Sequence, residues 1–302
     1  MKKLLFMLMS AMVMSVFLVA CGGEGSEQES GSEEGLNITT SFSILGDVVG
    51  NVIGDRGTVE YIVPIGEEPH EYEPIPSDFQ KVNDSNVFYV TGMGLEGWLE
   101  KLVQNTGDAP VVTLSEGVTA IPLVNEDGED PHIWLDAQNV ILWVNNLVED
   151  LVERDPEGEE TYRANAEAYI KELEELDAWI KAEVNTIPEE VRTITISEDA
   201  FRYFGQAYGI ETAGIWELNS HEEGTPSQIS RLVDIIKEKD LPAVFVETTV
   251  DKRYMETVAN DAGVDIAGEV YTDAVGPEGS GAETYIKMMK HNVKVFVEGL
   301  KN

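Results

Sequence analysis

The chain has 302 residues, with 20 Lys+Arg against 57 Asp+Glu, a formal net charge of −37. That length suits one large domain or two ordinary ones, and a hydrophobic content of 42% is enough for a packed core, which excludes wholesale disorder. The acidic balance excludes sustained nucleic-acid binding, which draws its affinity from Lys and Arg, disfavours anionic lipid surfaces, and favours a cationic ligand.

Residues 1–21 read as an export signal. Lys2 and Lys3 precede an apolar run from Leu4 to Ala20 that is short of the roughly 20 residues of a membrane-spanning helix. The run ends Leu18-Val19-Ala20-Cys21 before Gly22-Gly23, which resembles a bacterial lipobox, so Cys21 is expected to become a lipidated first residue. Cys21 is also the single cysteine, so no disulfide forms within the chain. Residues 22–36 are nearly all Gly, Ser, Glu and Gln and read as a flexible acidic tether, spanning roughly 20 Å root-mean-square. The body is thereby expected outside the cell, anchored to the outer face of the bacterial membrane.

The body alternates strand and helix patterns. Strands are predicted at 37–41, 58–63, 86–90 and 111–114, and helices at 44–53, 76–82, 95–104 and 137–152. This order predicts an α/β lobe with a mostly parallel sheet and helices on both faces, over 37–154. A different segment follows. Tyr162, Ala166, Tyr169, Leu173, Leu176 and Ile180 recur at helical spacing, which predicts one long helix within 155–187, about 45 Å if it runs from 156 to 186. Asp155 is the expected cap, with Pro156 at the first helical position. The alternation then resumes over 188–302. Strands are predicted at 192–197, 211–216, 243–247 and 265–271, and helices at 200–208, from 225 to about 237, at 252–262 and at 282–299. Thr225-Pro226-Ser227-Gln228 has the form of a capping box. The fold expected is therefore two similar α/β lobes joined by one long helix, with any site in the cleft between them, at the carboxyl ends of strands.

Four histidines are present: His70, His132, His221 and His291. His70 and His132 each follow a proline in a loop after a predicted strand, and a proline stiffens the loop before a ligand. In the second lobe, Glu198-Asp199 and Asp273 put carboxylates just past predicted strand ends. Each lobe thus offers two groups to one cleft. A carboxylate so placed also serves as a helix-terminus or turn residue.

The segments Pro69-His70-Glu71-Tyr72-Glu73-Pro74, Asp130-Pro131-His132-Ile133-Trp134-Leu135-Asp136, Ser197-Glu198-Asp199-Ala200-Phe201-Arg202-Tyr203-Phe204, Glu222-Glu223-Gly224-Thr225-Pro226 and Thr272-Asp273-Ala274-Val275-Gly276 occur in that order. Together they resemble the metal-binding lipoproteins of ABC importers for manganese, zinc and iron, over essentially all of 37–302. The resemblance implies four metal ligands, His70, His132, Glu198 and Asp273, and a rigid helix between the lobes. Zinc-type members usually carry a histidine where this chain has Glu198, and often a long His-rich loop before the second ligand; here residues 125–130 are short and lack histidine. The resemblance is thus to the manganese branch, and two imidazoles with two carboxylates form a hard site suited to Mn(II). Zn(II) or Fe(II) remains an alternative cargo, because the Irving–Williams order puts Zn(II) above Mn(II) at most sites. Trp134, Phe201 and Tyr203 are expected to pack around the site.

The function expected is capture of a divalent metal, Mn(II) first, and its delivery to an ABC permease of the cytoplasmic membrane by a monomer that is not an enzyme. Two other classes compete. A metal-dependent hydrolase needs an open coordination position and a base, for which Glu67, Glu68 and Glu71 are candidates. An adhesin needs a repeat or basic patch, and the sequence shows neither.

Overall fold

The structure is a computed structural model, and it describes residues 35–99, 102, 109–124, 127–218 and 224–301. The export segment with Cys21, residues 22–34 of the tether, His221 with Glu222 and Glu223, and residues 100, 101, 103 and 104 of the expected 95–104 helix lie outside the described residues.

The first lobe is built on four parallel strands, β1 (Leu36–Thr40), β2 (Gly57–Tyr61), β3 (Val87–Val90) and β4 (Val111–Thr113), in the spatial order β2-β1-β3-β4. Every residue of β3, Val-Phe-Tyr-Val, is buried, as expected of a parallel strand covered on both faces. Its helices include α1 (Ser43–Ile53), α2 (Pro76–Asp84) and α3 (Ala137–Arg154). α1 ends at Gly54, whose φ of 60° favours glycine, and Asn165 caps the Val52 carbonyl at 3.0 Å.

The helix expected from residue 95 starts later: residues 95–98 form turns, and Leu99 and Leu102 are helical. Leu95 N–H bonds Gly92 O and Leu99 N–H bonds Glu96 O, both tight turns, and Leu102 N–H makes an α-type bond to Trp98 O. Gly92, Met93 and Gly94 all have positive φ, which delays helix entry, and the Glu96 carboxylate takes the N–H groups of Thr91 and Gly92.

The linking helix α4 spans Glu159–Val184, 26 residues or about 39 Å. Its stripe Tyr162, Ala166, Tyr169, Leu173, Leu176 and Ile180 is buried. Truncating Leu173, which is fully buried, costs about 2–5 kcal/mol on large-to-small precedent. The expected capping by Asp155 is corrected. A 3-10 turn, Pro156–Gly158, precedes α4, and Asp155 makes no side-chain cap bond. Its carboxylate is taken by Arg56 Nε at 2.9 Å and Tyr162 Oη at 2.6 Å, stronger partners than a helix N–H.

The second lobe contains β5 (Thr193–Glu198), α5 (Arg202–Tyr208), β6 (Glu211–Trp216), α6 (Pro226–Glu238), β7 (Ala243–Glu247), α7 (Arg253–Ala262), β8 (Asp265–Val270) and α8 (Tyr285–Lys301). β5 pairs β6 and β7 pairs β8, both in parallel, and β5 lies beside β7. The capping box forms: Thr225 Oγ1 accepts Gln228 N–H, and Gln228 Oε1 accepts Thr225 N–H at 2.9 Å. α4 packs on α1, α3 and α8, and one apolar core runs from Ile38 in the first lobe through α4 to Leu300 in the second. A smaller core around Ile215, Leu232, Val244 and Met255 serves the outer part of the second lobe. Among the described residues, no helix is long and apolar enough to cross a membrane.

Candidate metal centre

His70 lies in the loop after β2. Its flanks are tied down on both sides. Trp98 Nε1 donates to Pro69 O at 2.8 Å, and Asp78 accepts both Tyr72 Oη at 2.7 Å and Ile75 N–H at 2.9 Å. His132 precedes a 3-10 turn, Ile133–Leu135, which leads into α3. Asp130 Oδ1 accepts the His132 N–H at 3.0 Å and faces Nδ1 at 2.8 Å, so Nε2 is the nitrogen left toward the cleft. Glu198 is the last residue of β5, paired in register with Trp216, and not beyond the strand as the sequence pattern predicted. Asp273 lies three residues past β8, and its Oδ2 accepts Thr272 Oγ1 at 2.6 Å.

These four side chains meet. His132 Nε2 is 3.2 Å from His70 Nε2, 3.7 Å from Glu198 Oε1 and 3.5 Å from Asp273 Oδ1; His70 Nε2 is 3.8 Å from Glu198 Oε1. The four side chains are buried, His70 the most exposed at 5%. One ion bound through about 2.1 Å bonds sets neighbouring ligand atoms about 3.0–3.5 Å apart, so the cluster holds nearly the spacing an ion needs.

The protonation pattern follows from burial and from these contacts. Burial and the neighbouring His132 push His70 down to about 4. Burial also opposes a charge on His132, but Glu198, Asp130 and Asp273 outweigh it and hold the ring well above its usual value. Burial raises Glu198, opposed by His132. Asp273 is held below its usual value because His132, His70 and the Thr272 hydroxyl outweigh its burial. The arrangement is a buried pocket of two imidazoles and two carboxylates.

Asp199, the other carboxylate of the pair, is not in this cluster; burial pushes it up to about 6, and its backbone N–H bonds Trp216 O at 3.0 Å. His291 lies on α8 with Nε2 3.0 Å from Glu269 O. Trp134 packs beside His132, ring centroids 5.3 Å apart, and its Nε1 donates to Thr272 O at 2.7 Å, tying the first lobe to the second. Tyr203 Oη donates to Asp130 O at 2.9 Å and accepts Ile121 N–H at 3.0 Å. Phe201 packs edge-to-face against Phe204 and Phe296 in the core.

Three residues support the cluster that the sequence reading had not placed beside it. Glu247, at the end of β7 and fully covered, accepts Ser197 Oγ at 2.5 Å and the Glu198 N–H at 2.8 Å, fixing the backbone that carries Glu198; burial pushes it up to about 7. Arg202 lies 3.6 Å from Asp130 Oδ2 and 3.4 Å from Glu217 Oε1, and donates to Pro122 O at 2.9 Å, so it joins the lobes behind His132. Glu68 brings a third carboxylate to Glu198 and Asp273. The signal for Asp130 and Glu68 was the shared acid-Pro-His order; Glu247 and Arg202 are neighbours only through the fold.

The family of the periplasmic zinc-uptake complex component A matches residues 38–299. The chain belongs to this family. Its relatives include the manganese-binding lipoprotein MntA of Halalkalibacterium halodurans, 65% identical over 302 residues and covering 99% of both chains. The iron ABC transporter substrate-binding lipoprotein MtsA of Streptococcus pyogenes is 38% identical over 310 residues, again covering 99% of both. Among solved structures, the periplasmic zinc-binding protein TroA of Treponema pallidum superposes with a TM-score of 0.84 at 25% identity, covering 89% of this chain and all of that one. The family's two-lobe α/β architecture is thus the architecture of this chain, and its members are named for zinc, manganese and iron.

Proposed function

We propose that this protein captures Mn(II) outside the cell and hands it to an ABC permease, with His70, His132, Glu198 and Asp273 as the ligands. The observation that carries the reading is the convergence on His132 Nε2 of His70, Glu198 and Asp273 within 3.2–3.7 Å, from loops and strand ends of both lobes. An N2 set with two carboxylates is harder than the nitrogen- and sulfur-rich sets zinc prefers, and carboxylates that bind through both oxygens enlarge it. The identity of 65% to a lipoprotein named for manganese supports the same metal. Lipidated Cys21 and the tether would hold a monomer at the outer face of the membrane, with lobes at 37–154 and 188–302 and the linking helix within 155–187. Four protein ligands in a buried cluster leave little room for a substrate, so the reading is a binding protein and not a hydrolase.

Zn(II) is the second reading, favoured by the family's zinc-uptake description. The test is metal analysis of protein purified without chelator, together with melting temperatures in added Mn(II), Zn(II), Fe(II) and Ca(II). A ligand at 100 times its Kd stabilises the native state by about 2.7 kcal/mol. One equivalent of Mn with a Mn(II)-dependent rise in Tm is expected. A response to Zn(II) alone moves the function to zinc uptake.

A further inference from the structure

Two acid-Pro-His triplets line the cluster, Glu68-Pro69-His70 and Asp130-Pro131-His132. In both, the acid accepts the backbone N–H of its own histidine at 3.0 Å. Proline between them restricts the backbone, so each triplet is a stiff hook with its carboxylate folded back on the histidine. They part at the side chain. Asp130 ends at Nδ1 of His132, the ring edge turned from the cluster. Glu68 is one methylene longer, and its Oε1 lies 4.0 Å from His70 Nε2, the nitrogen inside the cluster. A Glu68 oxygen is also within 4.8 Å of carboxylate oxygens of Glu198 and Asp273.

Depth orders these groups. The Glu68 side chain is 18% exposed, His70 5%, Glu198 1%, and His132 and Asp273 not at all. The innermost carboxylate also keeps one oxygen for the cluster. Both hydroxyls that reach Asp273, from Thr272 and Thr249, bond Oδ2, while Oδ1 is buried without a hydrogen bond. Two atoms on opposite sides of one ion are about 4.2 Å apart for 2.1 Å bonds, so Glu68 reaches an ion in this cluster with a shift of less than about 1 Å.

We propose that Glu68 is a loading ligand: its carboxylate takes the divalent cation at the mouth and passes it inward to His70, Glu198, Asp273 and His132. This rests on the four-ligand reading above. A hard carboxylate that replaces waters of a Mn(II) ion before the buried donors engage shortens the step in which the ion is stripped of solvent.

The experiment measures Mn(II) uptake by chelator-treated, full-length protein in stopped flow, with a fluorescent Mn(II) indicator reporting removal of free metal. Glu68→Gln keeps the acceptor for His70 N–H and removes the charge. Glu68→Asp keeps the charge and shortens the reach to that of Asp130. Glu73→Gln removes an exposed charge nearby, outside the cluster. Both Glu68 variants are expected to load about tenfold more slowly than wild type, near the lower limit for a charge focused in a cleft, and Glu73→Gln to load at the wild-type rate. Wild-type rates in Glu68→Gln, or in Glu68→Asp, overturn the proposal, as does equal slowing by Glu73→Gln. Uptake by His132→Ala as fast and complete as wild type overturns the four-ligand site itself, and Glu68's role with it.

Discussion

Replacing Asp130 by Asn isolates the charge behind His132 from the shape of its loop. The Asp130 Oδ1 faces both the backbone N–H and the Nδ1 of His132, at 3.0 and 2.8 Å, and the residue is almost wholly buried. Asparagine keeps one carbonyl oxygen for those contacts, so the loop holds. It removes the negative charge that keeps the imidazole basic and turns an amide NH2 toward Arg202, 3.6 Å from the lost oxygen. Outer partners of metal-bound histidines are worth about 10- to 100-fold in affinity, which is about 1.4–2.7 kcal/mol here. Isothermal titration of chelator-treated protein with Mn(II), in competition with a chelator of known affinity, reads the change, and the melting temperature of the metal-free variant checks that the fold is intact. A folded Asp130→Asn protein that binds Mn(II) within twofold of wild type refutes the role of the Asp130–His132 pair.

Glu198→Ala and Asp273→Ala each weaken Mn(II) binding about tenfold or more in the same titration, since each removes a direct oxygen donor, and unchanged affinity removes that residue from the ligand set. Glu247→Ala strips acceptors from Ser197 Oγ and Glu198 N–H and lowers stability in urea by about 1–3 kcal/mol for an orphaned buried donor, whereas Glu247→Gln keeps an acceptor and loses less; equal stability of the two variants contradicts this. Asp155 is held below its usual value, because bonds from Tyr162 and Arg56 outweigh the effect of burial. Its ionised form is therefore favoured by folding, and the stability it adds is complete above an unfolded pKa of about 3.9 and lost as the pH falls through the native value. The urea midpoint of Asp155→Asn should lie below that of wild type at pH 7 and converge on it near the acid limit; a gap that widens in acid reverses the expected sign.

Much of the fold was legible because the physics is local. β3, and β7 up to Glu247, are apolar runs because parallel strands are covered on both faces, and the 3.6-residue stripe from Tyr162 to Ile180 marks a helix with one buried face. Thr225-Pro226-Ser227-Gln228 carries its capping chemistry within four residues. His70 and His132 stood out by the repeated Pro-His, and Glu198 and Asp273 by lying where strands end. What the sequence hid was set by partners far along the chain. Asp155 looks like a cap until Arg56, 99 residues away, claims its carboxylate. The helix expected from residue 95 is reached only at Leu99, because the positive φ at Met93 and the Glu96 carboxylate folded onto Thr91 and Gly92 are backbone events no apolar pattern reports. Glu247 supports Glu198 from 49 residues away, across the boundary between β5 and β7. Glu68 and Asp130 share one motif, and only the reach of one methylene separates a group that backs a histidine from one that joins the cluster.

X-ray absorption at the Mn edge on protein carrying one equivalent of Mn(II) tests the four-ligand site most directly. Outer-shell scattering from two imidazoles, over an inner shell otherwise made of oxygen, is the predicted result, with one imidazole lost in His132→Ala. An all-oxygen shell without imidazole scattering in the wild-type protein would contradict it.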